Sequence, residues 1–413
     1  MIDAVAVAAL AHVPLDRRFK GLPASWAGRT PARICADAPE LFGEGPFAPL
    51  CVLDADALAH NLATMALWCE RRGVRLAPHG KTHMSPQLLA MQFEAGACAV
   101  TAATISQVRT FRTFGVREVL LANQFVDTAG LRWLAAEYDV DDGFRLVCWV
   151  DSVAGVAIMN SELGAAGLRR PLEVCVEIGV HGGRTGCRST AETDAVARAV
   201  VASPHLRLIG VAGYEAALGH DVSPAAQESI RAYLTTMRDA VVRLAPVAET
   251  DTLLVTAGGS THFDLVSEVL TDWPAGLRVS TVLRSGCYLT HDDGLYQRTS
   301  PLTRAEHPGL RSAMSVWAQV GSRPEPELAL VTMGRRDVSF DQGLPVPRAV
   351  PGAVVTNLND QHGFLTLPAD SAVRVGDWLQ FGISHPCTTF DKWQAIPVVD
   401  PDNRVVDLIR TYF

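Results

Sequence analysis

Eight times between residues 74 and 286 a short apolar or β-branched run gives way to a longer stretch, and no other feature limits the fold as much. The runs are "VRLAPHG" (74–80), "ACAVTAA" (97–103), "VREVLLANQ" (116–124), "FRLVCWVDS" (144–152), "LEVCVEIGV" (172–180), "LRLIGVAGY" (206–214), "TLLVTAGG" (252–259) and "LRVSTVLRSG" (277–286). Segments of helical period separate them, such as "SPQLLAMQFEAG", "ISQVRTFRTFG", "AETDAVARAVVA" and "PAAQESIRAYLTTMRDAVVRL". Strands joined by helices run parallel, and eight such units in a row predict an α/β fold of the (β/α)8, TIM-type barrel class.

After about residue 285 the long helical periods stop. Strand patterns with Gly and Pro turns replace them: "AMSVWAQVGS", "ELALVTMG", "AVVTNLND", "WLQFGI" and "QAIPVVD". The expected organisation is therefore a barrel over 46–284 and a second, mostly β domain over 285–413. The segment 1–45, rich in Pro, Arg and Ala, is expected to cross back and pack on the β domain.

A chain of 413 residues with 48% hydrophobic and 19% charged content can bury a core of that size. Its net charge of −8 provides no basic surface for nucleic acid or an anionic membrane. Small molecules or a second copy of the chain are the expected partners. "MIDAVAVAALAHVPLDRRF" has a short apolar run, but Asp3 stands where a signal sequence would be basic, so an amphipathic helix is expected instead. The nine cysteines form no C-x-x-C pair, which fits reduced thiols in the cytoplasm.

In a barrel of this kind reactive groups gather at the C-terminal ends of the strands. "PHGKTH" (78–83) puts Lys81 just after the first strand, between His79 and His83. A lone lysine is usually a solvated charge. Cationic or desolvating neighbours lower a lysine's pKa and free its amine for Schiff-base chemistry. "TAGGSTHF" (256–263) ends the seventh strand, where Gly258 and Gly259 admit an anion to the backbone and Ser260 and Thr261 add hydroxyls. An amine and a phosphate anchor on one barrel face are what pyridoxal phosphate requires. "EIGVHGGRTGCR" (177–188) ends the fifth strand and reads either as a solvated glycine turn or as a loop aiming Arg184 into the barrel mouth. Tyr214 closes the sixth strand and is either core or a cofactor contact. In "GISHPCTTFDKW" (382–393), His385 and Cys387 are two apart on a segment read as extended, so both face one side and can share a borderline cation. "NDQHGFL" adds His362, a third polar group near the metal or a turn residue.

Taken in order, "PHGKTHMSPQLLAMQFEAGA", "TAATISQV", "LLANQFV", "RTG", "AGGST", "DQHG" and "SHPCTT" resemble the D-serine dehydratase and D-threonine aldolase group of fold-type III pyridoxal phosphate enzymes. These are the alanine-racemase-like barrels, and the resemblance runs from about residue 45 to 395. It implies that Lys81 carries the cofactor and that Arg184 faces the pyridine nitrogen. Tyr214 and the loop from Gly258 to Thr261 would hold ring and phosphate, with His79 beside them, and His83 and His362 would assist catalysis. His385 and Cys387 would hold a divalent metal, zinc first and manganese second. Ser285 stands where proline is frequent in the group, and Ala77 where arginine is. His-x-Cys looks like the dehydratases and His-x-Asp like the aldolases.

The expected activity is dehydration of a D-β-hydroxy amino acid such as D-serine or D-threonine to a 2-oxo acid and ammonia, by a homodimer. The alternative is retro-aldol cleavage to glycine and an aldehyde. A racemase, with Tyr288 or Tyr296 as second proton donor, and a barrel that only binds the cofactor rank lower.

Overall fold

The computed structural model describes residues 1–304 and 309–413, in two compact units. One comprises Met1–Ile2, Ala66–Lys81 and Gln92–Gly286; the other comprises Asp3–Met65, Thr82–Met91 and Cys287–Phe413. The first strand of the chain, β1 (Leu50–Asp54), belongs to the second unit.

In the first unit every strand-like run becomes a strand: β2 (Arg75–Leu76), β3 (Val100–Ala102), β4 (Glu118–Gln124), β5 (Arg145–Val150), β6 (Leu172–Ile178), β7 (Leu206–Gly213), β8 (Leu253–Ala257) and β9 (Val279–Leu283). They pair in parallel in the order β2-β9-β8-β7-β6-β5-β4-β3. Bonds from Cys98 N to Leu76 O (2.8 Å) and from Thr101 N to Pro78 O (2.9 Å) then tie β3 to the segment after β2 and close the ring. Ala77, Leu120, Val147, Trp149, Cys175, Ile209 and Leu254 cluster together as core. Ala77 therefore serves packing.

Strand ends in this ring are set by helix caps. Thr104, Ser152, Ser189 and Ser223 each accept a hydrogen bond from the N–H three residues on, and Asp127 from the one two residues on. Each cap satisfies an amide that would otherwise lack a partner at a helix start, worth about 1 kcal/mol. After β3, β4 and β5 the cap falls two or three residues past the strand, whereas β6 and β7 lead into the longer connections 179–188 and 214–222.

The second unit holds β1, β10 (Met314–Glu325), β11 (Leu328–Val331), β12 (Val346–Pro347), β13 (Val354–Leu358), β14 (Gly363–Thr366), β15 (Trp378–Gly382), β16 (Ala395–Val399) and β17 (Val405–Arg410). The sheet runs β13-β14-β11-β10-β1-β16-β17, with β15 on β10 and β12 on β15. β1 lies antiparallel to β10 and parallel to β16, so the chain enters this sheet before it builds the barrel. The unit boundaries thus differ from a barrel starting at residue 46. A run such as "LCVL" is buried in either setting, and only its pairing partner decides which one it joins. Leu15, Leu22, Trp26, Ile34 and Leu41 pack with Leu50, Val52, Ala395, Val399, Val405 and Leu408. The helix Ala4–Ala9, capped by Asp3, buries none of its residues. Among the described residues no helix is long and apolar enough to cross a membrane.

Candidate active site

Lys81 sits on a single 3-10 turn, Gly80–Thr82. A Cβ on Gly80 would come within 2.4 Å of Phe111 Cζ and 2.8 Å of Val100 Cγ2. Only glycine lets the turn lie that close to β3 and to the helix Ile105–Thr113, so the turn is pinned while the Lys81 side chain stays exposed. The neighbouring His79 has a buried Nδ1 without a hydrogen-bond partner among the described residues. Burial pushes its pKa well below the ordinary value, and the charges of Lys81, Arg284 and Arg184 push it further. Lys81, Arg184 and Arg284 thus surround His79 with positive charge, of which Arg284 is offset by the buried carboxylates of Glu215 and Glu177.

The glycine loop after β8 supplies amides to one of these carboxylates. Gly258 has φ of +95°, and a Cβ there would meet Leu283 Cδ2 at 2.6 Å. The N–H groups of Gly258 and Gly259 donate to the two carboxylate oxygens of Glu215 at 2.9 and 2.7 Å, and Glu215 is fully buried. This pair of amides therefore holds an oxyanion. Ser285 Oγ donates to the carbonyls of Gly258 (3.1 Å) and Gly259 (3.0 Å), which gives the departure from proline at 285 a structural use. Thr261 Oγ1 lies 2.8 Å from His220 Nδ1, and Ser260 is half-buried.

Arg184 is exposed, its guanidinium carbon 4.4 Å from the centre of the Tyr214 ring. Glycines alone do not hold it there. Arg188 donates to the carbonyls of Gly183 (2.9 Å), Thr185 (2.8 Å) and Gly186 (2.6 Å), wrapping the loop that carries Arg184. Tyr214 N donates to Tyr233 Oη at 2.9 Å, and Tyr233 Oη donates to Ile178 O at 2.7 Å, linking the ends of β7 and β6. Arg284 is buried and donates to Thr256 Oγ1 (2.8 Å) and Gly213 O (2.6 Å).

In the second unit Cys287, His385 and Cys387 bring one ligand atom each to within 4.8 Å of one another. His385 Nδ1 lies 2.7 Å from Asp341 Oδ2, whose other oxygen accepts from Thr388 Oγ1 at 2.8 Å. A carboxylate on Nδ1 fixes the ring orientation, the arrangement that supports a metal-binding imidazole through its other nitrogen. The His-x-Cys segment is not extended. His385 has φ of +69°, and Cys387 opens the short helix Cys387–Phe390, so the two side chains converge through a left-handed residue and a helical turn. The His385 amide donates to Asp292 Oδ2 at 2.8 Å, which anchors that strained conformation.

His83 is fully buried, accepts from Ser85 N at 2.9 Å through Nδ1 and packs its ring near Phe390. His362 is exposed between β13 and β14 and lies outside the Cys–His–Cys cluster. Tyr296 is buried, with its ring 6.4 Å from that of His385, and Tyr288 is buried too. Sequence reasoning overlooked Cys287, Asp341, Glu215, Arg188 and Arg284. Only Cys287 carried a signal, a cysteine between Gly286 and Tyr288 just past the last barrel strand.

Residues 53–273 match the family model described as "Alanine racemase, N-terminal domain". The chain belongs to the alanine racemase N-terminal domain family. Residues 313–399 of this family member also match the model "Putative serine dehydratase domain", so the resemblance drawn from the motifs holds in both halves. The chain is 28% identical over 386 residues to D-threo-3-hydroxyaspartate dehydratase of Delftia sp. (strain HT23), covering 86% of this chain and 95% of that one. It is 26% identical over 360 residues to D-threonine aldolase of Arthrobacter sp, covering 85% and 88%. The crystal structure of D-threonine aldolase from Filomicrobium marinum superposes with a TM-score of 0.76 at 27% identity, covering 88% of this chain and 94% of that one.

Proposed function

We propose that this alanine racemase-like chain is a pyridoxal phosphate- and divalent-metal-dependent lyase that dehydrates D-configured β-hydroxy amino acids to a 2-oxo acid and ammonia. The observation that carries the proposal is His385, held by Asp341 and within 4.8 Å of Cys387, a donor set that racemisation does not need. Relatives named as a D-threo-3-hydroxyaspartate dehydratase and a D-threonine aldolase support the substrate class.

The residues of the barrel mouth fit the cofactor: an unpartnered His79 nitrogen, clustered cations, and a glycine turn that presents Ser260. When bound, pyridoxal phosphate supplies delocalisation for the electron pair left at the α-carbon. Lys81 Nζ would be the amine that holds the cofactor and, when not so engaged, the base for the substrate α-proton. Arg184, held over Tyr214, would supply a positive charge beside the cofactor ring. Tyr214 and His79 would flank the ring, and the Gly258–Thr261 loop would take the phosphate through Ser260 and Thr261, since the Gly258 and Gly259 amides are committed to Glu215. His385 and Cys387 would hold a divalent cation, which supplies Lewis-acid stabilisation for a departing β-hydroxyl. Neither His83, buried against Phe390, nor His362, exposed between β13 and β14 and outside the Cys–His–Cys cluster, is assigned a step. The nine unbridged thiols support a reducing cytoplasm, and the enzyme works as a homodimer.

Retro-aldol cleavage is the second reading, favoured by the named D-threonine aldolases among the relatives. The deciding experiment gives D-threonine and D-threo-3-hydroxyaspartate to metal-loaded protein before and after chelation. Chelator-sensitive 2-oxobutyrate or oxaloacetate with ammonia is expected. Glycine with acetaldehyde or glyoxylate would make it an aldolase, and epimerisation of either substrate at the α-carbon without ammonia or aldehyde would overturn both.

A further inference from the structure

Two thiols in the second unit lie within hydrogen-bonding distance of one another. Cys287 Sγ and Cys387 Sγ are 3.4 Å apart although 100 residues separate them in the chain. Neither is in a disulfide, for which the sulfurs would have to meet at about 2.05 Å. Two sulfurs on a tetrahedral zinc with bonds of about 2.3 Å stand about 3.8 Å apart, close to the spacing found. Thr82 Oγ1 lies 3.5 Å from Cys387 Sγ and 4.0 Å from Cys287 Sγ, a hydroxyl placed to serve either sulfur once its proton is lost. His385 stands within 4.8 Å of both ligand sulfurs, its Nδ1 tied to Asp341.

We propose that Cys287 is a third protein ligand of the metal, so that the site is Cys287, His385 and Cys387 and selects zinc. The proposal rests on the metal-dependent reading above and goes beyond its two-residue site. Three protein donors and one open position make up the usual catalytic zinc centre, and the open position is where a substrate hydroxyl would bind. Two thiolates make the donor set soft, which disfavours manganese and magnesium. Cys287 also gives the cation a buried anchor, while His385 and Cys387 are only half-buried. Because Tyr296 packs on Cys287 and lies near His385, the third donor sits on its inner side.

Zinc K-edge X-ray absorption on the zinc-loaded holoenzyme reads the donors directly. Two sulfurs at about 2.3 Å with nitrogen near 2.0–2.1 Å are expected. Cys287→Ser should leave one sulfur and weaken zinc by more than ~100-fold in competition with a chromophoric chelator, beyond the range typical of removing an outer partner. Its preference for zinc over manganese should shrink with it. One sulfur in the wild type, or unchanged zinc affinity in Cys287→Ser, would overturn the proposal. Cys387→Ser separates the two failures. If it loses zinc while Cys287→Ser does not, the two-residue metal site stands and the third ligand is wrong. If both variants keep wild-type affinity, the metal reading falls as well. Should Cys287→Ser fail to fold, the sulfur count of the wild type decides alone.

Discussion

The barrel mouth and the Cys–His–Cys cluster are built by opposite means. At the mouth each functional group sits where a strand stops and a capped helix or glycine turn begins, so its neighbours in sequence place it: Lys81 after β2, Arg184 after β6, Tyr214 after β7, Gly258 after β8. The cluster draws Cys287 from just past the barrel and His385 and Cys387 from the turn after β15, and it borrows Asp341 from a loop to orient the imidazole. Local punctuation makes the first kind of site legible in one dimension. The second kind exists only after strands far apart in the chain have paired.

The sharpest way to break the comparison is Lys81→Ala. Losing both the cofactor's anchor and the general base should lower turnover by more than about 10⁴-fold and remove the visible band of bound cofactor. Retention of either would sink the assignment of the mouth. On the other side, Asp341→Asn keeps every proposed ligand and removes only the charge on Nδ1. Metal affinity should fall by roughly 10–100-fold, read by chelator competition, with the cofactor band unchanged. An equal loss of both would mean that Asp341 supports the fold and not the metal.

Gly80→Ala tests how far the mouth depends on close approach. Its Cβ would overlap the Phe111 ring, and a cost of about 1–3 kcal/mol is expected in urea unfolding. A neutral result would show that Phe111 gives way and that the Lys81 turn is not pinned as described. The smallest effect concerns His79. Burial, aided by the charges of Lys81, Arg284 and Arg184, holds its folded pKa well below 6.5, so below that pH the unfolded chain takes up a proton that the folded chain refuses. Stability is full above pH 6.5 and declines as the pH falls toward the folded value. His79→Gln should flatten that decline in unfolding midpoints between about pH 8 and about pH 5. Parallel curves for the two proteins would refute it.

The alternation of strand and helix along the chain was enough to place all eight barrel strands, because each is a short apolar run set off by a turn or a helical period and needs no distant partner to be recognised. In the sheet of the second unit, β10, β11, β13, β15 and β16 were legible as alternating or apolar runs. β1, β12, β14 and β17 were not. "LCVL" reads equally well as a barrel strand, "VP" is too short to carry a period, and "GFLT" and "VVDLIR" become strands by pairing with β13 and β16. Lys81, Arg184 and the Gly258–Thr261 loop were visible for the same local reason as the strands they follow. What tertiary structure alone decided was who sits beside whom. Glu215 reaches the glycine amides, Arg188 folds back on its own loop, Asp341 meets His385, and Cys287 meets Cys387. Hydrophobic period and turn chemistry act over a few residues, whereas these contacts follow from strand order and chain closure, which no short stretch of sequence encodes.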